Sequence, residues 1–483
     1  MNRPTRRLAT GVMVVFGILA LIVSWVQVVA ADTYRLDSRN ARYNLAQSGK
    51  ERGVIISSDG EILAQSDPDP ETTGAYRRIY PAGPTYAHVV GYSSLLFGEY
   101  GLERAYSPDL RSRRDLTISD LIAVILGRDL RPHNLQLTID SQLQETALEG
   151  LDGQAGAVVA LDPRTGAVLA LVTFPSFDPG LLLGVDAAAE WQQLVDDPTR
   201  PLADRASREL YPPGSTFKTI VTAAALEQGV ANPETTFPDP EEFQLPGSEA
   251  TVANFDGGVC NDGTQVTLTQ AFVRSCNTTF ANLAIQVGAA EIGQVANAFG
   301  FNDEVPFPWT TAESAFPTVQ LSDDQAALGQ SGIGERDVRA TPLQMALVAA
   351  GVANGGEVMI PYLVERVFSA EGEDEEVANP SPRGVAMSAA TAEVLTQLME
   401  RVVTSGTGRQ AAVSGVRVAG KTGTASGPGG QPHAWFIGFA PVEDPTIAVA
   451  VLVEAGGNVG ENATGGAVAA PIASRVLAEW LTR

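Results

Sequence analysis

The strongest constraint on this chain's fold is a pair of β-hairpin signatures placed far apart in the sequence. Residues 156–174 read GAVVALDPRTGAVLALVTF, two apolar runs around the turn Asp162-Pro163-Arg164-Thr165-Gly166. Residues 434–441 (AWFIGFAP) and 446–456 (TIAVAVLVEAG) flank the turn Glu443-Asp444-Pro445 in the same way. Proline, glycine and aspartate between apolar runs mark chain reversal. Alanine-rich stretches of helical character lie between the hairpins, at 216–228, 267–287 and 341–353, and a last helix is expected from about Ala467 to Trp480. Strands at both ends with helices between predict one antiparallel sheet assembled from distant segments. Helices packed on that sheet make an α+β domain. The texture changes at Leu135-Gln136-Leu137-Thr138-Ile139-Asp140, which leads into a helix-like run, so this domain is placed at 135–483.

The 483 residues suffice for two or three domains. Leu8 to Ala31 is a nearly unbroken apolar run without charge, long enough to span a bilayer at about 20 residues. Arg3, Arg6 and Arg7 precede it, which predicts a cytoplasmic tail (1–7), an anchor (8–31) and an extracytoplasmic remainder. A cleaved signal peptide ending at Val29-Ala30-Ala31 is the alternative, although its apolar core would exceed the usual length of about 7–15 residues. Residues 32–134 form a separate region, expected to position rather than catalyse. In it Val54-Ile55-Ile56, Ser58-Asp59-Gly60 and Ile62-Leu63-Ala64 read as a hairpin, and the basic stretch Arg111 to Arg114 follows. The acidic run EGEDEE (371–376) reads as a solvated loop.

The formal charge of −24 excludes nucleic acid as a natural partner, because phosphate binding needs a basic surface. Two cysteines without CxxC spacing and three scattered histidines (His88, His133, His433) make no metal set, and no metal or cofactor is expected. Of the 32 basic residues only three are lysines: Lys50, Lys218 and Lys421. Arginine cannot release its proton in a protein, whereas a buried lysine can. A lysine kept where arginine dominates is therefore a chemical candidate.

Tyr211-Pro212-Pro213-Gly214-Ser215-Thr216-Phe217-Lys218 carries the first chemical signal. The prolines and glycine forbid a helix before Ser215, and the run after it is helical. Ser215 then falls at a helix N-terminus, where N–H groups and the dipole favour negative charge. Lys218 lies on the same face. Apolar surroundings favour its neutral amine, and a neutral lysine beside a serine is a general base for a nucleophile. A serine N-cap with an incidental lysine fits the same residues without any chemistry. Ser275-Cys276-Asn277, on or beside a helix, is explained equally well by capping. Lys421-Thr422-Gly423-Thr424-Ala425 follows the strand-like Val416–Ala419. There a glycine admits a ligand backbone, and Lys421 with the Thr422 and Thr424 hydroxyls suits a carboxylate; a plain turn is the alternative. In this order, SxxK, SxN and KTG form the set found in penicillin-binding proteins and class A β-lactamases.

On these motifs the chain resembles class B penicillin-binding proteins of the short monofunctional actinobacterial type. The likeness extends to Arg52-Gly53, Asp59-Gly60, Gly101-Leu102-Glu103, LDPRTGAVLA, FPSFDP (174–179), ATPLQMA (340–346) and HAWFIGFAP (433–441). It implies a penicilloyl-serine transferase fold on an N-terminal pedestal. It also implies D,D-transpeptidation of peptidoglycan stem peptides, with release of D-alanine and acylation by β-lactams. By the resemblance, Ser215 is the nucleophile and Lys218 its base. Ser275 relays the proton, Lys421 supports Ser275, Asn277 binds the donor, and Thr422, Gly423 and Thr424 form the wall that takes its terminal carboxylate. The N–H groups of Ser215 and Thr424 would make the oxyanion hole. A complex with a cell-wall glycosyltransferase is a further expectation. The short pedestal and Cys276 in the middle of SxN are the departures.

Two other readings stay open from sequence. A D,D-carboxypeptidase or β-lactamase uses the same fold, but no Glu-x-x-x-Asn of the deacylating type lies between 277 and 421. A silent scaffold should have lost Ser215 or a lysine, and an antibiotic sensor should carry a cytoplasmic signalling domain, for which the expected tail 1–7 is too short. Finally, Cys260 and Cys276 are the only cysteines, in a compartment that permits disulfides. They are expected to pair, with two buried thiols that never meet as the alternative.

Overall fold

In the computed structural model the two distant hairpins share one five-stranded sheet, in the order Ala419–Ala425, His433–Ala440, Ile447–Val453, Gly156–Leu161, Val168–Phe174. Every neighbouring pair is antiparallel, and Ala450 faces Ile437 on one side and Val159 on the other. The structure describes residues 3–28, 30, 49–70, 72–111, 131–255 and 257–482.

The two central strands, Gly156–Leu161 and Ile447–Val453, carry no polar side chain and are buried throughout because both faces are covered. Val159, Leu161, Ile437, Phe439, Ala450 and Leu452 join one core, beneath the helix Pro342–Ala353. The alternate residues Val158, Ala160, Phe436, Val449 and Val451 join a second core, with the helices Ser141–Leu151 and Ala470–Leu481. Side chains of a strand alternate between faces, so two covered faces demand a continuous apolar run.

Three local readings need correction. The acidic run at 371–376 is not all loop: Asp374–Val377 is an edge strand paired with Val364–Phe368, its four residues exposed. Exposed acidic side chains suit an edge that must not recruit another chain. The stretch 267–287 is two helices, Leu268–Arg274 and Asn277–Val287, broken at Ser275. The strand placed at Val416–Ala419 instead runs Ala419–Ala425 and contains the KTG motif itself.

The expected boundary at 134/135 falls within a strand. Asn134–Leu137 pairs in parallel with Ile55–Ile56 of the N-terminal region and antiparallel with Val364–Phe368 of the C-terminal one. Together with Ile62–Pro68, Tyr76–Ile79 and Asp374–Val377 they make one six-stranded sheet common to both regions. Beside it the N-terminal region buries an ion cluster. Glu103 receives Arg52 at 2.6 Å and Arg78 at 2.5 Å, and Tyr80 donates to it at 3.1 Å.

A 26-residue helix, Arg3–Val28, begins the described chain. At 1.5 Å per residue it is ~39 Å long, enough for a bilayer core of about 30 Å. Its large apolar side chains, among them Leu8, Phe16, Leu21 and Trp25, are exposed. Ala31, the last residue of the expected anchor, lies outside the described residues, as do Val29 of the possible cleavage site and the basic stretch beyond Arg111.

Candidate active site

The segment before Ser215 is pinned to two neighbours. Tyr211 exchanges backbone hydrogen bonds with Ala340 (3.0 and 2.8 Å), and Gly214 donates to the Gly334 carbonyl at 2.9 Å. Gly214 takes φ +54, and a Cβ there would stand 2.7 Å from the Thr424 carbonyl oxygen. Gly423 meets the same segment from the other side: a Cβ on it would lie 2.8 Å from the Pro213 carbonyl oxygen. The glycine of the KTG motif thus admits the protein's own serine segment. Ser215 follows in a single 3₁₀ turn, Gly214–Phe217, which runs into the helix Lys218–Glu227.

Lys218 turns inward and is fully buried. Its Nζ donates to the Ser275 carbonyl at 2.7 Å and to Asn277 Oδ1 at 2.8 Å, and lies 3.4 Å from Ser275 Oγ. The Phe280 ring is 5.3 Å away. Burial first, and then the charge of Lys421, holds the Lys218 amine well below its ordinary value. Among the described residues no hydrogen bond joins Lys218 to Ser215 Oγ, which lines the cavity above it. In a free site such contacts are often long and tighten only around the reacting ligand.

The SxN motif forms the elbow between two helices. Thr267 and Gln270 close a capping box at the start of Leu268–Arg274. Ser275 ends that helix at φ +66, with Cys276 N–H bonded to the Ala271 carbonyl at 2.8 Å. A left-handed residue with this six-to-one bond is a Schellman stop. Asn277 then opens the next helix. Its backbone N–H is held by Asn254 Oδ1 at 2.8 Å, and its Nδ2 donates to the Ala253 carbonyl at 3.0 Å.

Lys421 comes from the strand Ala419–Ala425, also fully buried. It donates to Ser275 Oγ at 2.8 Å and to the Thr422 carbonyl at 3.0 Å. Burial brings its pKa down to about 7. Both lysines therefore converge on Ser275, with no carboxylate bonded to either among the described residues. Thr422 Oγ1 is 2.6 Å from Thr407 Oγ1, and Thr424 Oγ1 accepts from Gly465 N–H at 3.3 Å. Ser215, Ser275, Asn277, Thr422 and Thr424 all open onto one cavity of about 450 Å³. Cys260 and Cys276 form a disulfide with Cα atoms 6.0 Å apart, tying the loop 257–263 to the SxN elbow.

Residues 156–478 match the penicillin binding protein transpeptidase domain. The chain belongs to the penicillin-binding protein family. Residues 52–135 match the penicillin binding protein A dimerisation domain, which is the pedestal. The peptidoglycan D,D-transpeptidase PbpA of Mycolicibacterium smegmatis is 43% identical, over 100% of this chain and 99% of its own. The PbpA of Mycobacterium tuberculosis is 42% identical, over 99% and 98%. The structure of penicillin-binding protein A from M. tuberculosis as a penicillin G acyl-enzyme complex superposes with a TM-score of 0.82 at 40% identity, covering 89% of this chain and 100% of that one.

The geometry of this penicillin-binding protein adds residues that the motifs did not reveal. Asn254 and Thr407 touch the motif residues directly, but a lone Asn or Thr in a loop carries no sequence signal. Glu335 accepts from Ser426 N–H at 2.9 Å just past the KTG strand, and burial raises its carboxyl above the ordinary range. Among the described residues no cluster of His, Cys, Asp and Glu has a metal-binding arrangement.

Proposed function

We propose that this protein is a peptidoglycan D,D-transpeptidase that joins cell-wall stem peptides through an acyl-enzyme on Ser215. The observation that carries this is the convergence of Lys218 and Lys421 on Ser275 at the wall of the cavity that Ser215 lines. Lys218, desolvated and short of a carboxylate, takes the Ser215 proton as Oγ attacks the penultimate D-alanine carbonyl. The backbone N–H groups of Ser215 and Thr424 receive the developing oxyanion. Ser275 passes the proton to the departing D-alanine, with Lys421 fixing the Ser275 hydroxyl. Asn277 holds the donor backbone, while Thr422 and Thr424 take its terminal carboxylate beside Gly423. An amine of a neighbouring stem then attacks the ester and restores Ser215. β-Lactams enter the same sequence and stop at the acyl-enzyme.

The N-terminal helix anchors the enzyme in the plasma membrane, with Arg3, Arg6 and Arg7 on the cytoplasmic side and the catalytic domain outside. That placement is where a membrane-bound glycosyltransferase would supply new strands, and a complex with one is part of this reading.

Labelling the purified protein with a fluorescent penicillin, followed by peptide mapping, tests the assignment. The label is expected on Ser215 and absent from a folded Ser215→Ala variant. Persistent labelling of that variant would remove Ser215 as nucleophile. D-alanine release that does not divert to product when an acceptor amine is added would point to a carboxypeptidase instead.

A further inference from the structure

The cavity at Ser215 must receive an anionic ligand although the chain carries a net charge of −24. Long-range repulsion of that kind slows association unless a local positive field offsets it. The two lysines of the site are poor sources of such a field. Both side chains are fully buried behind the cavity wall, and desolvation drives both toward the neutral amine.

Among the described residues that line the cavity, Arg274 is the single charged one. It is exposed, stands in the last turn of Leu268–Arg274, and immediately precedes Ser275. Its Nη1 donates to the Cys260 carbonyl, which steers the guanidinium along the loop tied down by the disulfide. No described carboxylate forms an ion pair with it, whereas Arg336, Arg366, Arg383 and Arg417 at the surface each have one. The wall beside it is continuous with the threonines. A Cβ on Gly406 would lie 2.5 Å from the Val273 carbonyl oxygen, so the 405–407 turn packs on the end of the arginine's helix. Thr407 of that turn is bonded to Thr422.

We propose that Arg274 is a specificity-determining residue that recognises the carboxylate of the donor peptide, and of β-lactams, at the threonine-lined end of the cavity. The proposal rests on the transpeptidase reading above and adds to it the group that supplies the attraction. Thr422 and Thr424 give hydrogen bonds without charge; Arg274 places a fixed charge on the cavity wall itself, where neither buried lysine reaches.

The test uses the full-length protein in detergent, with Arg274→Lys and Arg274→Gln. Both replacements keep a donor for the Cys260 carbonyl, and only lysine keeps the charge. Second-order acylation of Ser215 is measured with penicillin G, which has one carboxylate, and with its methyl ester, which has none, from low to high salt. Arg274→Gln is expected to lower the penicillin G rate about tenfold at low salt and to flatten its salt dependence. Arg274→Lys should stay within roughly threefold of the parent, as a point charge without the planar fork. The ester should react equally with all three proteins. A donor dipeptide ending in a free carboxylate should follow penicillin G. Should only longer stems with an additional side-chain carboxylate respond, recognition of the terminal carboxylate is overturned. Equal loss in both variants, or equal loss for acid and ester, also overturns the proposal while leaving Ser215 acylation standing. A parent protein that is not acylated at Ser215 at all overturns this and the transpeptidase reading together.

Discussion

Lys218 and Lys421 are buried at one serine yet take their protons differently. Guanidinium cannot act as a base, so Lys218→Arg should acylate as slowly as Lys218→Ala, a loss of about 10²–10⁴-fold by penicillin-labelling kinetics. Lys421→Arg should be milder, because its task at Ser275 Oγ is to hold and donate. The pH profile separates the two further. Each folded value lies below the ordinary 10.5, so each amine loses its proton at a lower pH than in the unfolded chain. The acylation rate should rise as Lys218 deprotonates and fall above about pH 7 as Lys421 does; the pair titrates in coupled steps. In Lys421→Arg the alkaline fall should vanish. A fall that persists would assign it to another group. Both lysines stood out in the sequence because lysine is so rare in this chain. Asn254, Thr407 and Arg274 did not, because their importance lies in partners that only folding brings near.

The elbow between Leu268–Arg274 and Asn277–Val287 depends on what Asn254 and Cys260 hold in place. The capping box at Thr267 and Gln270 starts the first helix, but its stop carries no sequence signal: a left-handed serine is not encoded as a glycine would be. Hence 267–287 read as one helix. Asn254 caps the second helix and positions Asn277. Asn254→Ala should slow acylation several-fold, with Asn254→Asp recovering part of it, because a carboxylate also accepts at a helix N-terminus. A thermal shift without any change in acylation rate would make Asn254 a stabilising cap only. Thiol titration of the denatured protein, purified without reductant, should find no free thiol. Reduction should lower stability by roughly 3 kcal/mol for a loop of this length, read from the denaturant midpoint, and slow acylation as the elbow loosens. Two free thiols would sink the pairing.

At the scale of the molecule, the five-stranded sheet was readable because both of its faces are covered, leaving long apolar runs. The six-stranded sheet was not, because Ile55–Ile56 and Asn134–Leu137 are too short to announce their partners. Arg52 and Glu103 stood out as motif residues, but not as a buried ion cluster. Burial pushes the Glu103 carboxyl up, while Arg52 and Arg78 overcome this and hold it below its ordinary value. A depressed carboxylate stabilises the fold above its unfolded pKa of about 4.5, and that contribution is lost as pH falls through the lower folded value. Acid unfolding of the parent should therefore begin below about pH 4.5. Glu103→Gln, which leaves Arg52 and Arg78 buried without their counter-charge, should cost about 3–5 kcal/mol near neutral pH. A loss below 1 kcal/mol in chemical denaturation would show the cluster to be dispensable. The shared strand Asn134–Leu137 has a consequence for how such proteins change over generations. A gene crossover at that point would join one parent's pedestal strands to the other parent's Val364–Phe368 hairpin, mispairing three segments at once. Exchange of the pedestal alone should therefore yield poorly folded offspring, and the two regions should descend as one unit, with workable breakpoints confined to surface turns.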